Sequence, residues 1–197
     1  GTSWTEGSNL NTARAYAACA GTQTAAAASG GTVSPPSGTP FPEQSNACEE
    51  YNGTSWSNNP NSLTQVRERL GAGGTSTAGA FFGGYGTPPA TFFGNTEEFN
   101  GTSFSEGPDM GTAASNGSYC GETAEALLWA GGQTPSSITT TQEFDGSSWI
   151  AFNTNSQKYN QPEEDDKWLL INSLSCHPIT KINRQIMKSY EHPEILI

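Results

Sequence analysis

Side chains able to do chemistry are few in this chain, and their spacing decides what chemistry is open to them. Histidine, the side chain best suited to moving protons near neutral pH, occurs only at His177 and His192. No His-based site can therefore be assembled from the first 150 residues. The four cysteines, Cys19, Cys48, Cys120 and Cys176, form no CxxC pair and have no His at the spacing a zinc site uses. Their even number is compatible with two disulfides in a secreted chain, but the spacing matches no framework. Two acidic pairs, Glu49-Glu50 and Glu97-Glu98, could rim a cation site. Unpaired surface carboxylates are commoner and are the expected reading. Asn52-Gly53-Thr54, Asn100-Gly101-Thr102 and Asn116-Gly117-Ser118 match the glycosylation acceptor pattern, although turn chemistry accounts for the first two. Gly21 and Gly74 read as turn residues, and no glycine-rich loop precedes a helix in the manner of a phosphate site. No catalytic, cofactor-binding or metal-ligating residue is expected from these patterns.

Charge narrows the partners. Residues up to 150 carry 13 acids against three bases, Arg14, Arg67 and Arg69, while the remainder has six acids and five bases, giving −11 in all. An acidic, base-poor body repels nucleic acid and anionic membranes, because phosphate recognition needs surplus Lys and Arg. No run approaches the roughly 20 apolar residues of a membrane span. Charged residues are 14% and aromatics 10%, which separates the chain from disordered sequences of high charge and few rings.

The elements that hold these residues follow from a repeat. Glu50-Tyr51-Asn52-Gly53-Thr54-Ser55-Trp56 recurs as Glu98-Phe99-Asn100-Gly101-Thr102-Ser103-Phe104 and as Glu143-Phe144-Asp145-Gly146-Ser147-Ser148-Trp149, and the chain opens on Gly1-Thr2-Ser3-Trp4. A second landmark is the Gly pair at Gly30-Gly31, Gly83-Gly84 and Gly131-Gly132. Two landmarks at one period of roughly 45–53 residues indicate a repeat architecture. Cys19 and Cys120 each stand eleven residues before a Gly pair, with Ala72 at that place in the second copy. They are expected to be small core residues on equivalent strands.

Each unit reads as four short strands. In the second, Arg67 to Gly73 is the first, Gly74-Thr75-Ser76 a turn, and Thr77 to Phe82 the second. A Pro/Gly loop from Tyr85 to Gly94 leads to a third strand, Thr96 to Phe99. Asn100-Gly101 then makes a tight hairpin to the fourth, Thr102 to Ser105, since Asn-Gly supplies the positive φ angles of a two-residue turn. Tyr51, Phe99 and Phe144, with Trp4, Trp56, Phe104 and Trp149, are expected to bury aromatic area between successive units. The small residues Ala25 to Ala28 suit tightly packed strands.

A double Gly, a variable loop, then an aromatic followed five residues later by Trp or Phe resembles the kelch repeat. The landmarks are Gly30, Gly31, Tyr51 and Trp56; Gly83, Gly84, Phe99 and Phe104; Gly131, Gly132, Phe144 and Trp149. Arg14 and Arg67 resemble the arginine that the family places before the Gly pair, and Ala113-Ala114 depart from it. The resemblance covers residues 1–152 and implies an all-β, kelch-like β-propeller fragment of about three four-stranded antiparallel blades plus one orphan outer strand at Trp4. Closed propellers use four to eight blades. The open edges are therefore expected to be completed by a longer parent chain, by self-association, or by the C-terminal tail.

Residues 153–197 differ in composition, with no glycine at all. They read as a polar linker ending in Glu163-Glu164-Asp165-Asp166, then an amphipathic helix beginning at Pro178. A chimeric or out-of-frame origin of this tail is an alternative. The implied function is a non-catalytic binding or structural module whose loops take a protein or glycan, with no cofactor. The Gly/Thr-rich repeat style resembles kelch-like arrays of viral and microbial sequences, implying an extracellular or virion-surface setting such as an adhesion or tail-fibre part. The alternative is a fragment of a propeller hydrolase or oxidoreductase whose catalytic residues lie in further blades.

Overall fold

The computed structural model describes residues 2–34 and 43–152 of the chain. The expected linker and tail helix lie outside the described residues. Within them the protein is all-β: each repeat forms one four-stranded antiparallel sheet, joined by small two- and three-stranded ladders. The first sheet is Ala18–Thr22, Ala25–Ser29, Cys48–Tyr51 and Trp56–Asn58. The second is Gly71–Thr75, Ala78–Phe82, Thr96–Phe99 and Phe104–Gly107. The third is Ser118–Thr123, Ala126–Ala130, Thr141–Phe144 and Trp149–Phe152. Strands follow chain order across every sheet, and the first strand of the second sheet lies between the first strands of the other two.

Side-chain alternation along these strands builds two core layers rather than one. Ala72, Phe81 and Phe99 of the second sheet pack with Ala18, Ala20, Ala27 and Cys48 of the first. The opposite face of the second sheet, Ala80 and Phe82, packs with Leu127, Trp129, Phe144 and Trp149 of the third. Because successive strand residues point to opposite faces, the adjacent pair Phe81 and Phe82 serves both layers. Large rings facing small Ala side chains explain how a core forms with so little Leu and Ile. The aromatic landmarks divide by position: Phe99, Phe144 and Trp149 are buried, while Phe104, Tyr51 and Trp56 are half-buried. Trp4, expected in the core, is fully exposed.

The Gly pairs do what the sequence suggests. All six glycines have positive φ, between 64° and 114°. A Cβ on Gly31 would stand 2.4 Å from the Ala15 carbonyl oxygen, and one on Gly132 would stand 2.6 Å from that of Ser115. Only glycine permits both the backbone conformation and the approach.

Four local expectations are corrected. The first strand of the second repeat begins at Gly71, not Arg67, because Arg69 takes φ +57° and interrupts the extended chain; the following turn moves to Ser76 and Thr77. The loop after the second Gly pair contains its own ladder, Tyr85–Gly86 against Thr91–Phe92. The second repeat's hairpin is not a two-residue turn: Phe99 pairs with Phe104, so the tip spans residues 100–103 and the fourth strand is Phe104–Gly107 rather than Thr102 to Ser105. In the tips Gly53, Gly101 and Gly146 have positive φ, whereas Asn52, Asn100 and Asp145 do not. Their role lies in the side chain, described below. Finally, Cys120 is not the counterpart of Cys19. Cys19 pairs with Ala28, Ala72 with Phe81 and Tyr119 with Trp129, so Tyr119 holds the equivalent place. A register shift between Cys120 and Thr123 displaces the sequence count by one residue. Cys19 is exposed and Cys120 half-buried, so neither is the core residue expected.

Candidate functional site

The strongest polar features between the sheets are struts, not a reaction centre. Arg67 Nη1 donates to the carbonyls of Gly83 (3.0 Å) and Asn95 (2.8 Å), and Nη2 donates to Glu97 Oε1 at 2.8 Å. Arg14 repeats the pattern: Nη1 reaches the carbonyls of Gly30 (2.9 Å) and Ala47 (3.1 Å), and Nη2 reaches Glu49 Oε1 at 2.9 Å. The second carboxylate oxygen of each acid accepts from a connecting segment, Asn11 N–H at 2.7 Å for Glu49 and Thr64 N–H at 2.7 Å for Glu97. Glu49 and Glu97 were expected at the surface; they are 1% and 0% exposed. The acidic pairs are therefore split, one acid inside and its neighbour on the other face, and they do not form a shared rim. Burial pushes the Glu97 carboxyl above its ordinary range, opposed by the Thr64 and Arg67 contacts, and burial pulls Arg67 down.

The third repeat replaces this strut with neutral groups. Arg67 O accepts from Gly31 N–H and Ala114 O accepts from Gly84 N–H, which places Ala114 where the arginine stands in the second repeat. Gln142 replaces the glutamate, accepting from Thr112 N–H at 2.8 Å and donating to Thr112 O at 3.1 Å. The Gly131 carbonyl, whose counterparts bind arginine, instead accepts the Trp129 indole N–H at 2.9 Å. Removing the cation and neutralising the acid together avoids a buried unpaired charge.

The hairpin tips are built by one side-chain oxygen each. Asn52 Oδ1 accepts from Thr54 and Ser55 N–H at 3.0 and 2.9 Å. Asn100 Oδ1 accepts from Thr102 and Ser103 N–H, both at 2.9 Å. Asp145 Oδ1 accepts from Ser147 and Ser148 N–H, both at 2.9 Å. Such side-chain-to-backbone bonds are why Asn and Asp favour turns. The Ser147 hydroxyl and these N–H groups hold the exposed Asp145 carboxyl down at about 2.

The feature best suited to a ligand lies where the repeats' connecting loops meet. Tyr16, Arg69 and Asn116 occupy corresponding positions, each in the left-handed conformation at φ 57°, 57° and 58°. Arg69 N–H donates to Tyr16 O at 2.9 Å, and Asn116 N–H donates to Arg69 O at 3.1 Å. A non-glycine residue held there is strained, and such strain persists where surrounding structure fixes it. Beside this line of residues opens a cleft of about 230 Å³, lined by Arg69, Tyr85, Ala90, Phe92, Ser115, Gln133 and Pro135. The Arg69 guanidinium carbon stands 5.0 Å from the Tyr16 ring centroid and 5.9 Å from that of Tyr85. Its Nε lies 3.3 Å from Glu68 Oε1. Gln44 fixes the Tyr85 loop, donating to Tyr85 O at 3.3 Å and accepting from Thr87 N–H at 2.7 Å. None of the twelve repeat landmarks lines this cleft. They form the scaffold, including the cross-strand ring pairs Tyr51 with Trp56, Phe99 with Phe104, and Phe144 with Trp149 at 5.1, 4.7 and 5.2 Å. The only sequence hint of the cleft is Arg69, one of three bases in the first 150 residues.

Fold and site together define an all-β protein of repeated four-stranded antiparallel sheets with a cleft between loops of two repeats. No protein-family model matches the chain, and no curated protein matches it. Among solved structures it is similar to one titled "Structure of YjhT", at 13% sequence identity and a TM-score of 0.58. The likeness covers 74% of this chain and 46% of that one, so this chain spans less than half of its length. At that identity the likeness concerns the fold alone.

Proposed function

We propose that the chain is part of a kelch-like β-propeller and acts as a non-catalytic binding module, taking a protein or glycan at its loop face. Three sheets in succession, with their first strands side by side and two core layers between them, support a radial blade arrangement. The observation that carries the binding reading is the cleft between the Tyr85–Phe92 ladder and the Ser115–Gln133 bridge. It is lined by the Tyr85 and Phe92 rings together with a few polar groups from Arg69, Ser115 and Gln133, a mixture of apolar wall and polar groups that ligand sites share. An adhesive role at a microbial or virion surface accords with the repeat style.

The test is a glycan and peptide array probed with the labelled chain, repeated with Phe92→Ala, which removes one wall of the cleft. Ligands retained by the native chain and lost by the variant support the reading. Retention by both overturns the cleft as the site. Proton spectra of a bound ligand followed over hours should stay constant; chemical conversion would overturn the non-catalytic part.

A further inference from the structure

We infer that the cleft takes an aromatic ring bearing a carboxylate, with Arg69 as the anchor for the charge and the partner being a polypeptide that ends in an aromatic residue. This rests on the reading of the cleft as the binding site.

Size comes first. About 230 Å³ is below the roughly 300–1,000 Å³ of sites for drug-sized ligands, so the space admits one ring-sized group. Its lining then selects the group. Tyr85, Ala90, Phe92 and Pro135 present mostly apolar surface, and the Tyr85 and Phe92 rings meet at 5.2 Å with a 55° tilt. A flat apolar ring gains more from such walls than a polyhydroxylated one, because every hydroxyl placed against them loses water without replacement. Ser115 and Gln133 supply the polar groups on the remaining side.

Charge comes from Arg69. Its guanidinium carbon stands near the Tyr16 and Tyr85 rings, and its Nε near Glu68. Among the described residues Nη1 and Nη2 make no hydrogen bond, and the side chain is 33% exposed. Two parallel N–H groups on one guanidinium edge match a carboxylate. The other arginines of the first 150 residues, Arg14 and Arg67, are consumed in buried struts. Among the described residues Arg69 is thus the cation available to an incoming anion. Glu68 lowers its net attraction but fixes its orientation. Capture of a chain terminus by its carboxylate is an established mode of peptide recognition, and it joins the ring and the charge on one residue.

The experiment compares N-acetyl-phenylalanine, its C-terminal amide, benzoate and D-glucuronate, titrated against the whole chain and followed by amide chemical shifts. The companion variant is Arg69→Asn, since Asn116 shows that asparagine accepts this left-handed position. The native chain should bind N-acetyl-phenylalanine at least tenfold more tightly than its amide, with shifts at Tyr85, Phe92 and Gln133. Benzoate should bind more weakly than N-acetyl-phenylalanine. The variant should keep its fold and lose the preference for the acid over the amide. Equal binding of acid and amide at the cleft overturns the inference and leaves the binding reading standing. Tighter binding of glucuronate or benzoate overturns the peptide assignment. If no probe shifts any cleft resonance the inference falls, and the array experiment then decides the broader reading.

Discussion

Arg67 Nη2 donates to Glu97 Oε1 at 2.8 Å with both side chains wholly excluded from solvent. The arginine belongs to the segment entering the second sheet and the acid to that sheet's third strand, so the contact locks the connection between repeats against the sheet. Carbonyls of Gly83 and Asn95 complete the cradle. A charge this deep depends on its partner, and removing one member leaves the other unpaired at a cost of about 3–5 kcal/mol. Arg67→Ala and Glu97→Gln should each lower unfolding free energy by that order in urea titrations monitored by tryptophan fluorescence. Stability equal to the native chain in either variant would refute the strut.

The third repeat offers the reverse experiment. Gln142→Glu places an acid where Ala114 supplies no cation. Burial raises the pKa of such a carboxyl above its unfolded value of about 4.3. The folded state then holds the proton more tightly than the unfolded state. The variant should match the native chain below about pH 4 and lose stability as pH rises through the folded value. By pH 7 the loss should be on the order of 3–4 kcal/mol, two to three pKa units at about 1.4 kcal/mol each. A pH-independent difference between the two proteins would sink this account.

A third contact crosses between the second and third sheets. The Trp149 indole N–H donates to Thr96 Oγ1 at 2.8 Å in a buried setting. Thr96→Val keeps the shape and removes the acceptor. It should cost about 1–3 kcal/mol, the penalty of an unsatisfied buried donor. Thermal melts provide the measurement, and an unchanged melting temperature would show that the indole finds another acceptor.

These contacts mark where sequence reading reached and where it stopped. Landmarks spaced along one strand or turn were legible: Gly83-Gly84, Phe99 and Phe104 needed only local rules of glycine conformation and alternation. Glu97 was misplaced at the surface because its burial depends on Arg67, thirty residues earlier, and no local pattern distinguishes Glu97 from Glu98. The bulge after Cys120 defeated counting, since one inserted residue moved Tyr119 into register with Cys19 and Ala72. The cleft was illegible because its walls come from loops of different repeats, Tyr85 and Phe92 from one and Ser115 and Gln133 from the next. Arg69 stood out by charge, but its approach to both Tyr16 and Tyr85 arises only when two repeats stack.

Asp145 provides the last test, because the chain contains its own control. The Ser147 hydroxyl, with the N–H groups of Ser147 and Ser148, holds the carboxyl at about 2, below the usual 3.8. A depressed folded pKa contributes stability that is present above the unfolded value and lost as pH falls through the folded one. The affected window therefore runs from about pH 4 down to pH 2. Asn52 and Asn100 build the same tip with a neutral oxygen at 2.9–3.0 Å, so Asp145→Asn should fold with unchanged hairpin geometry. Melting temperatures at pH 7, 4 and 2 should show a shallower acid decline in the variant than in the native chain. Parallel declines would mean that the exposed turn carboxylate is not linked to folding, and that the two N–H bonds alone define the tip.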